Sequence, residues 1–215
     1  MKLFGYWRSS ATYRVRILLN LKGVDCEQQA VHLVKDGGEQ HSEAYQRLNP
    51  NSLVPALEDN GLVLNQSLAI MEYLEELYPK PALLPEEMKQ KAIVRALCYD
   101  IACDAAPMNN LRVVNYLSNE LGVSDEDRMT YVFHWLGLTF CALEDRATSL
   151  LNTTGKFLFH DRLTLADVVL IPQIYNARRF NYEMSKHPLL NAIWHHCNSL
   201  DAFIDAQPEN QADAS

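Results

Sequence analysis

The order of apolar and polar positions predicts alternating strands and helices at the start of the chain. Strands are predicted at residues 3–6, near residues 27–32, and at residues 54–57 and 62–64. Helical spacing follows Ser9-Ser10 up to Gly23, recurs in residues 41–48, and begins again at Ser67. Ser9-Ser10 and Ser67 predict the N-caps of two helices, and Gly23 predicts the end of the first one. The turn at residues 59–61 predicts a hairpin between the last two strands.

The pattern beyond residue 80 is helical throughout. Pro79, Pro81 and Pro85 predict a linker. Helices are predicted over residues 86–121, broken or bent near Pro107, over residues 125–151 and over residues 188–206. Residues 164–167 predict a capping box before a buried helix. The fold class is therefore an α/β thioredoxin-like N-terminal domain plus an all-α C-terminal domain. The predicted division is residues 1–80, a linker at 81–86, a helical domain at 87–206, and a polar tail at 207–215 that we expect to fray.

Composition narrows the class of function. The 215 residues carry a net charge of −8 and are 48% hydrophobic, which suits two packed domains. This acidic balance without a Lys/Arg run argues against nucleic-acid or acidic-membrane binding as a main role. No apolar run reaches the ~18 residues that a membrane span requires, and no leader pattern opens the chain. We expect a cytoplasmic protein.

The cysteine pattern predicts free thiols. The five cysteines are odd in number, contain no C-x-x-C pair and fall in apolar segments. We expect buried free thiols in a reducing compartment. The histidines and cysteines have no metal-ligand spacing, so no metal site is expected.

The first candidate site is the stretch Arg8-Ser9-Ser10-Ala11, where a strand ends and a helix begins. Free N–H groups and the positive end of a helix favour an anion, and a thiolate gains from this position. Ser9 and Ser10 can also be simple helix caps. No candidate base stands beside either serine, so a serine nucleophile is weakly supported. Because no cysteine lies here, a thiolate at this site has to belong to a ligand.

Two further stretches can bind parts of a peptide. If the Val54-Pro55 bond is cis, the backbone of Val54 turns outward and can pair with an extended peptide. Gln66-Ser67 opens another helix, whose N–H groups suit a carboxylate. The alternative for Val54-Pro55 is an ordinary proline before a strand, and the alternative for Gln66-Ser67 is a simple helix cap. Together with the first helix start, these stretches describe a pocket for a short acidic thiol peptide.

Specific motifs carry a resemblance to a known family over nearly the whole chain. They are Trp7-Arg8-Ser9-Ser10 with Arg14-Val15-Arg16-Ile17, Leu48-Asn49-Pro50, Val54-Pro55, Gln66 to Ile70 with Glu72 to Glu75, Asn109 to Arg112, Thr164 to Asp167, Pro172-Gln173 and Asn176 to Phe180. On these residues the sequence resembles the zeta class of cytosolic glutathione transferases, and most closely the maleylacetoacetate and maleylpyruvate isomerases within it. The first and last of these motifs are the most diagnostic.

The resemblance implies glutathione as cofactor and a set of site residues. Ser9 would activate the thiolate, with Ser10 and Arg8 as the other catalytic residues. Glutathione would be held by Gln40, Val54, Pro55, Gln66, Ser67, Asn110 and Leu111. Substrate carboxylates would be bound by Arg8, Arg112 and Arg179, whose guanidinium groups suit carboxylates. Without the family context, Arg112 and Arg179 would be interpreted as solvent-exposed arginines on helices.

The resemblance also implies an activity, with three departures from the family pattern. Ala11 replaces a usual cysteine, Ala106 a polar residue, and His160 a common turn glycine, which we interpret as structural. The implied activity is cis–trans isomerisation of a maleyl diacid, namely maleylacetoacetate to fumarylacetoacetate in tyrosine and phenylalanine breakdown. Alternatives are a maleylpyruvate isomerase, a general transferase or dehalogenase, and an inactive glutathione-binding protein. A homodimer is expected on the same resemblance.

Overall fold

A computed structural model describes residues 1–214, which form two compact units. Residues 1–82 and 198–214 make the first unit, and Leu83–Cys197 the second. The α/β and all-α classes expected from the sequence are confirmed. The C-terminal boundary differs from the predicted one, because residues 198–206 belong to the first unit. Ser215, the end of the predicted tail, lies outside the described residues.

The first unit is built on a mixed four-stranded sheet. Its elements up to residue 82 are β1 (Lys2–Gly5), α1 (Ser10–Lys22), β2 (Glu27–Ala30), α2 (Glu43–Leu48), β3 (Ala56–Asp59), β4 (Leu62–Asn65) and α3 (Ser67–Leu77). The strand order is β2-β1-β3-β4, with β1 parallel to β2 and antiparallel to β3. The β3–β4 hairpin closes through Asn60 and Gly61, with φ of 49° and 86°. Positive φ at both central positions is the geometry of a tight hairpin turn.

Helix α1 is buried along most of its length. All residues from Thr12 to Leu19 are buried, because the helix packs against α3 and against the short helix Asp201–Ile204. Gly23, at φ 63°, ends the helix as predicted. The ammonium of Lys22 lies 2.6 Å from the carboxylate of Glu75 and donates to the carbonyl of Pro81 at 2.6 Å. This buried pair joins the end of α1 to α3 and to the linker.

The second unit contains only helices and loops among its described residues. Its helices are α4 (Met88–Tyr99), α5 (Leu111–Asn119), α6 (Asp125–Ser149), α7 (Leu165–Arg179) and α8 (Pro188–Cys197). The predicted break near Pro107 in the helix over residues 86–121 is confirmed, since residues 106–110 are not helical. A π-helical turn that was not predicted, Asp100–Ala105, lies between α4 and this break.

Helix α7 lies in the core of the second unit. Its residues 165–174 are all buried, and it packs against α4 and α8. The predicted capping box is confirmed: the carboxylate of Asp167 accepts from the backbone N–H of Thr164 at 2.8 Å and of Leu158 at 2.7 Å. Burial raises the pKa of Asp167 to about 7, although these bonds oppose the shift.

The C-terminal segment returns to the first unit. The predicted helix over residues 188–206 is two helices, α8 and the short α9 (Asp201–Ile204), and a turn follows at Pro208–Asn210. The segment is held by buried Arg16, whose Nε donates to the carbonyl of Ala206 at 3.1 Å. Gln211 donates to two further carbonyls of the segment. Hydrogen bonds of Gln207, Asn210, Gln211 and Asp213 thus tie this stretch to the first unit, and the expected fraying of the tail stays a prediction.

The cysteine thiols differ in their exposure to solvent. All five cysteines are free, as predicted. The prediction that they are buried is confirmed for Cys98 and Cys197, but Cys26 is only half-buried, and the prediction was wrong for the exposed Cys103 and Cys141. The helical segments that carry Cys103 and Cys141 are buried on one face only, and the two thiols lie on the opposite face.

Within residues 1–214, no cluster of three or more metal-ligating side chains occurs. No helix in the same residues is long and apolar enough to cross a bilayer.

Candidate active site

The start of α1 presents a serine hydroxyl whose oxygen is already used as an acceptor. Ser9 is the N-cap, as predicted, and its Oγ accepts from the N–H of Thr12 at 3.2 Å. A hydroxyl has a single hydrogen, so that of Ser9 remains available to a ligand. Ser10 is the first residue of the helix and is half-buried. The helix start lies close to β1, because a Cβ on Gly5 would come within 2.3 Å of the Thr12 side chain.

The loop before Ser9 is fixed at the backbone of Trp7. Its N–H donates to the carboxylate of Asp213 at 3.0 Å, and its carbonyl accepts from Arg16 Nη2 at 2.8 Å. The neighbouring Arg8 is half-buried, with its guanidinium carbon 5.2 Å from the centroid of the Trp7 ring. Arg8 and Ser9 therefore extend from a loop that two side chains hold in place.

The Val54-Pro55 bond is cis. Pro55 is buried and Val54 half-buried, and no hydrogen bond to either backbone group of Val54 occurs within residues 1–214. The preceding carbonyl, of Leu53, accepts from the Tyr45 hydroxyl and the Asn49 amide at 2.7 Å each. The segment is thus anchored on one side, while the N–H and carbonyl of Val54 are available to pair with an extended peptide.

The start of α3 differs from the sequence prediction. Gln66, not Ser67, is the N-cap; it is exposed, has φ of 67°, and makes no side-chain capping bond. The prediction that Ser67 caps the helix was wrong, because its hydroxyl oxygen accepts from Arg14 Nη1 at 3.2 Å instead. The N–H groups of residues 67–69 have no acceptor in the described chain. They form a place for an anion.

Gln40 is buried close to the sheet. Its Nε2 donates to the carbonyl of Leu33 at 3.3 Å, and its amide packs against Gly38. A Cβ on Gly38 would lie 2.4 Å from that amide nitrogen and would displace it, and the φ of 98° at Gly38 also favours glycine. The Oε1 of Gln40 is buried without a partner among residues 1–214, and it can accept from a ligand.

In the second unit, Asn110 caps α5: its Oδ1 accepts from the N–H of Arg112 at 3.1 Å. Leu111 and Arg112 are exposed. Asn109, which sequence reasoning did not select, is 7% exposed, and its Nδ2 has no partner in the described chain. Asn109 does belong to the motif that runs from Asn109 to Arg112, but sequence alone does not tell which of two adjacent amides caps a helix.

Arg179 is exposed near the end of α7, with its guanidinium carbon 5.9 Å from the centroid of the Phe180 ring. It lies in the same unit as Arg112, whereas Arg8 lies in the first unit. The expectation that the three arginines bind one substrate stays a prediction.

Comparison with known proteins gives matches to both units and over the full length. A family model described as glutathione S-transferase, N-terminal domain, matches residues 3–82, and the corresponding C-terminal model matches residues 142–201. A probable maleylacetoacetate isomerase of Vibrio cholerae is 50% identical over 99% of this chain and 97% of its own.

Two solved structures are also similar. One is the holo form of a maleyl pyruvate isomerase described as a bacterial zeta-class glutathione S-transferase, with a TM-score of 0.95, 42% identity and full coverage of both chains. The other is a maleylacetoacetate isomerase of Methylobacterium extorquens AM1 with bound malonate and GSH, with a TM-score of 0.93, 36% identity and full coverage of both chains.

Proposed function

Because the chain belongs to the zeta class of the glutathione S-transferase family, we propose that it is a glutathione-dependent cis–trans isomerase of a maleyl-type diacid. The observation that carries the proposal is the start of α1, where Ser9 has its oxygen occupied by the Thr12 N–H and its hydrogen free. Such a hydroxyl, at the positive end of a helix, suits a sulfur anion.

The residues of the first unit fit the tripeptide at three further points. The free backbone groups of Val54, beside buried Pro55, suit the cysteinyl residue. The uncapped start of α3, with Gln66 and Ser67, suits the γ-glutamyl carboxylate. The unpartnered Oε1 of Gln40 is a free acceptor for another part of the peptide. In the second unit, Asn110 and Leu111 are proposed to complete the glutathione site.

The chemistry divides between cofactor and protein. Bound glutathione supplies a thiolate that adds reversibly to the cis double bond, so that rotation becomes possible. Ser9 donates a hydrogen bond that favours the anionic sulfur, and Ser10 and Arg8 add polarity at the same helix start. Arg8, Arg112 and Arg179 bind the two carboxylates of the substrate and stabilise negative charge that develops next to the reacting carbons.

We propose maleylacetoacetate as the substrate, in the breakdown of tyrosine and phenylalanine, because the Vibrio relative with that name is 50% identical. Maleylpyruvate is the second candidate, because the similar holo structure belongs to an isomerase of that acid. The finer proposal also includes a homodimer in the cytoplasm. The five free thiols support a reducing compartment, and light scattering of the purified protein tests the dimer.

The test is purified protein with each maleyl acid, with and without glutathione, following loss of the cis isomer. We expect turnover only with glutathione, and a constant total of glutathione. Consumption of glutathione would indicate a transferase or dehalogenase instead. Folded protein that neither binds glutathione nor turns over either acid would contradict the proposal.

A further inference from the structure

Buried Arg14 makes a long-range contact with the start of α3. It lies on α1 and is 3% exposed, and its Nη1 is 3.2 Å from the Oγ of Ser67, which is 6% exposed. The two residues are 53 positions apart in sequence and meet because α1 packs against α3. The contact therefore depends on the fold of the first unit and not on local helix capping.

The chemistry of this contact fixes the role of the Ser67 hydroxyl oxygen in the hydrogen bond. A guanidinium group has only donors, so the Ser67 oxygen has to be the acceptor. No other hydrogen bond to the Ser67 side chain occurs within residues 1–214. The single hydrogen of the hydroxyl is consequently left to point at an acceptor outside the described chain.

The surroundings of Ser67 show where that acceptor belongs. The side chain of Gln66 does not cap α3, and the N–H groups of residues 67–69 have no acceptor among the described residues. A carboxylate at this helix start would receive bonds from backbone N–H groups and from the Ser67 hydroxyl together.

We propose that Arg14 is a positioning residue for glutathione: by occupying the Ser67 oxygen, it directs the Ser67 hydrogen to the γ-glutamyl carboxylate. The inference rests on the proposed function, since it needs glutathione at this site. Arg14 itself does not touch the ligand. A purely structural arginine would instead support the whole pocket and have no preference for one group of the tripeptide.

The test compares side chains at position 14 that only donate hydrogen bonds, that both donate and accept them, or that do neither. Calorimetry measures the Kd of glutathione and of 4-aminobutyryl-cysteinylglycine, which lacks the γ-glutamyl carboxylate. The variants are Arg14→Gln, Arg14→Met, Arg14→Lys and Ser67→Ala. Arg47→Met is the matched control, because Arg47 is an exposed arginine of the same unit that pairs with Glu43. Thermal unfolding checks that each variant is folded.

We expect Arg14→Gln and Arg14→Met to raise the Kd of glutathione about tenfold, the effect of one charge-assisted bond. Ser67→Ala should have the same effect, and the double variant Arg14→Met/Ser67→Ala should be no worse than either single one, because both act through one hydroxyl. Arg14→Lys, which only donates, should retain most of the affinity. The analogue should bind every variant as it binds the wild type.

Two results overturn the inference while the proposed function stands. One is a glutathione Kd that is unchanged in Arg14→Gln or in Arg14→Met. If one of these variants does not fold, the other gives the answer. The second result is an equal loss of affinity for glutathione and for the analogue. If wild-type protein binds no glutathione, the proposed function itself fails, and the inference fails with it.

Discussion

Ser9 and Ser67 lie at two helix starts of the first unit, and each hydroxyl oxygen accepts a hydrogen bond from a donor of the protein. For Ser9 the donor is the N–H of Thr12, and for Ser67 it is Arg14. Each hydroxyl hydrogen is thereby free for an anion. At the residue scale, the first unit thus has two hydroxyl donors, which suit the thiolate and the γ-glutamyl carboxylate of glutathione.

Replacing Ser9 with alanine should raise the thiol pKa of bound glutathione. Loss of one hydrogen bond to the thiolate corresponds to a rise of about one pKa unit. The measurement is a pH titration of thiolate absorbance in the protein–glutathione complex.

Ser124→Ala is the control, because Ser124 also caps a helix by accepting from a backbone N–H, that of Asp127. Both variants should lose about 1 kcal/mol of stability through the cap. An identical thiol pKa in the Ser9→Ala complex and the wild-type complex would remove Ser9 from its catalytic role.

The sequence could predict the serines at these helix starts but not all their partners. Ser9 caps its own helix, and its partner is three residues away, so a local rule suffices. Ser67 has the same local signature, yet its partner is Arg14, which only the packing of α1 on α3 brings near. The cap prediction failed at Ser67 for this reason. Similarly, the C-terminal contact of Trp7 with Asp213 has no local signal.

The loop before α7 is organised around one carboxylate. Asp161 accepts from the hydroxyls of Thr153 and Thr154 at 2.8 and 2.6 Å and from the Thr154 N–H. His160 and Asp161 have φ of 51° and 48°, the left-handed region that a glycine adopts freely. This agrees with the interpretation of His160 as a turn residue. Burial alone would raise the pKa of Asp161, but the hydrogen bonds from Thr154 and Thr153 lower it below its ordinary value.

The charge of Asp161 should stabilise the protein at neutral pH and not at acid pH. Because its pKa is lower in the folded state than in the unfolded chain, its contribution is complete above about pH 4 and declines as the pH falls below that value. Asp161→Asn should lower the Tm at pH 7 by about 2–4 °C. The difference from wild type should shrink at pH 3. Thermal unfolding at both values measures it, and a difference that stays constant with pH would refute the role of the charge.

At the scale of elements, the sequence predicted the type of almost every segment and the break near Pro107, but neither the π-helical turn before that break nor the division between α8 and α9. Apolar spacing continues from α4 towards α5, whereas the structure inserts a π-helical turn at Asp100–Ala105. Such a turn depends on packing against α6 and α7. The capping box at Thr164 and Asp167 was predictable, because both partners lie within four residues.

At the scale of the whole molecule, the first unit is discontinuous in sequence. Residues 198–214 return to it, and three contacts hold them there: Arg16 to Ala206, Asn20 to the carbonyl of Ala202, and Trp7 to Asp213. The last of these contacts adjoins Arg8 and Ser9. The C-terminal segment thus supports the loop that precedes the proposed thiolate site.

Asp213→Ala should reduce isomerase activity without unfolding the protein. The N–H of Trp7 loses its acceptor, so the loop is held less firmly and a fall in kcat of about fivefold is expected, equivalent to one hydrogen bond. Steady-state kinetics measure this change, and thermal unfolding monitors stability. Asp205→Ala is the control, since the Asp205 carboxylate makes no hydrogen bond within residues 1–214. Equal kcat in the two variants would contradict a supporting role for the segment.

The return of residues 198–214 has a consequence for how the chain matures on the ribosome. The nascent sheet and α1 emerge first, but the acceptor of Arg16 at Ala206 is translated only after the whole helical unit. The Nη2 of Arg16 can donate to the Trp7 carbonyl within the amino-terminal residues, but its Nε gains the Ala206 carbonyl only after the carboxyl-terminal residues have been made. A fragment expressed as residues 1–82 would therefore lack the Ala206 acceptor of Arg16 permanently.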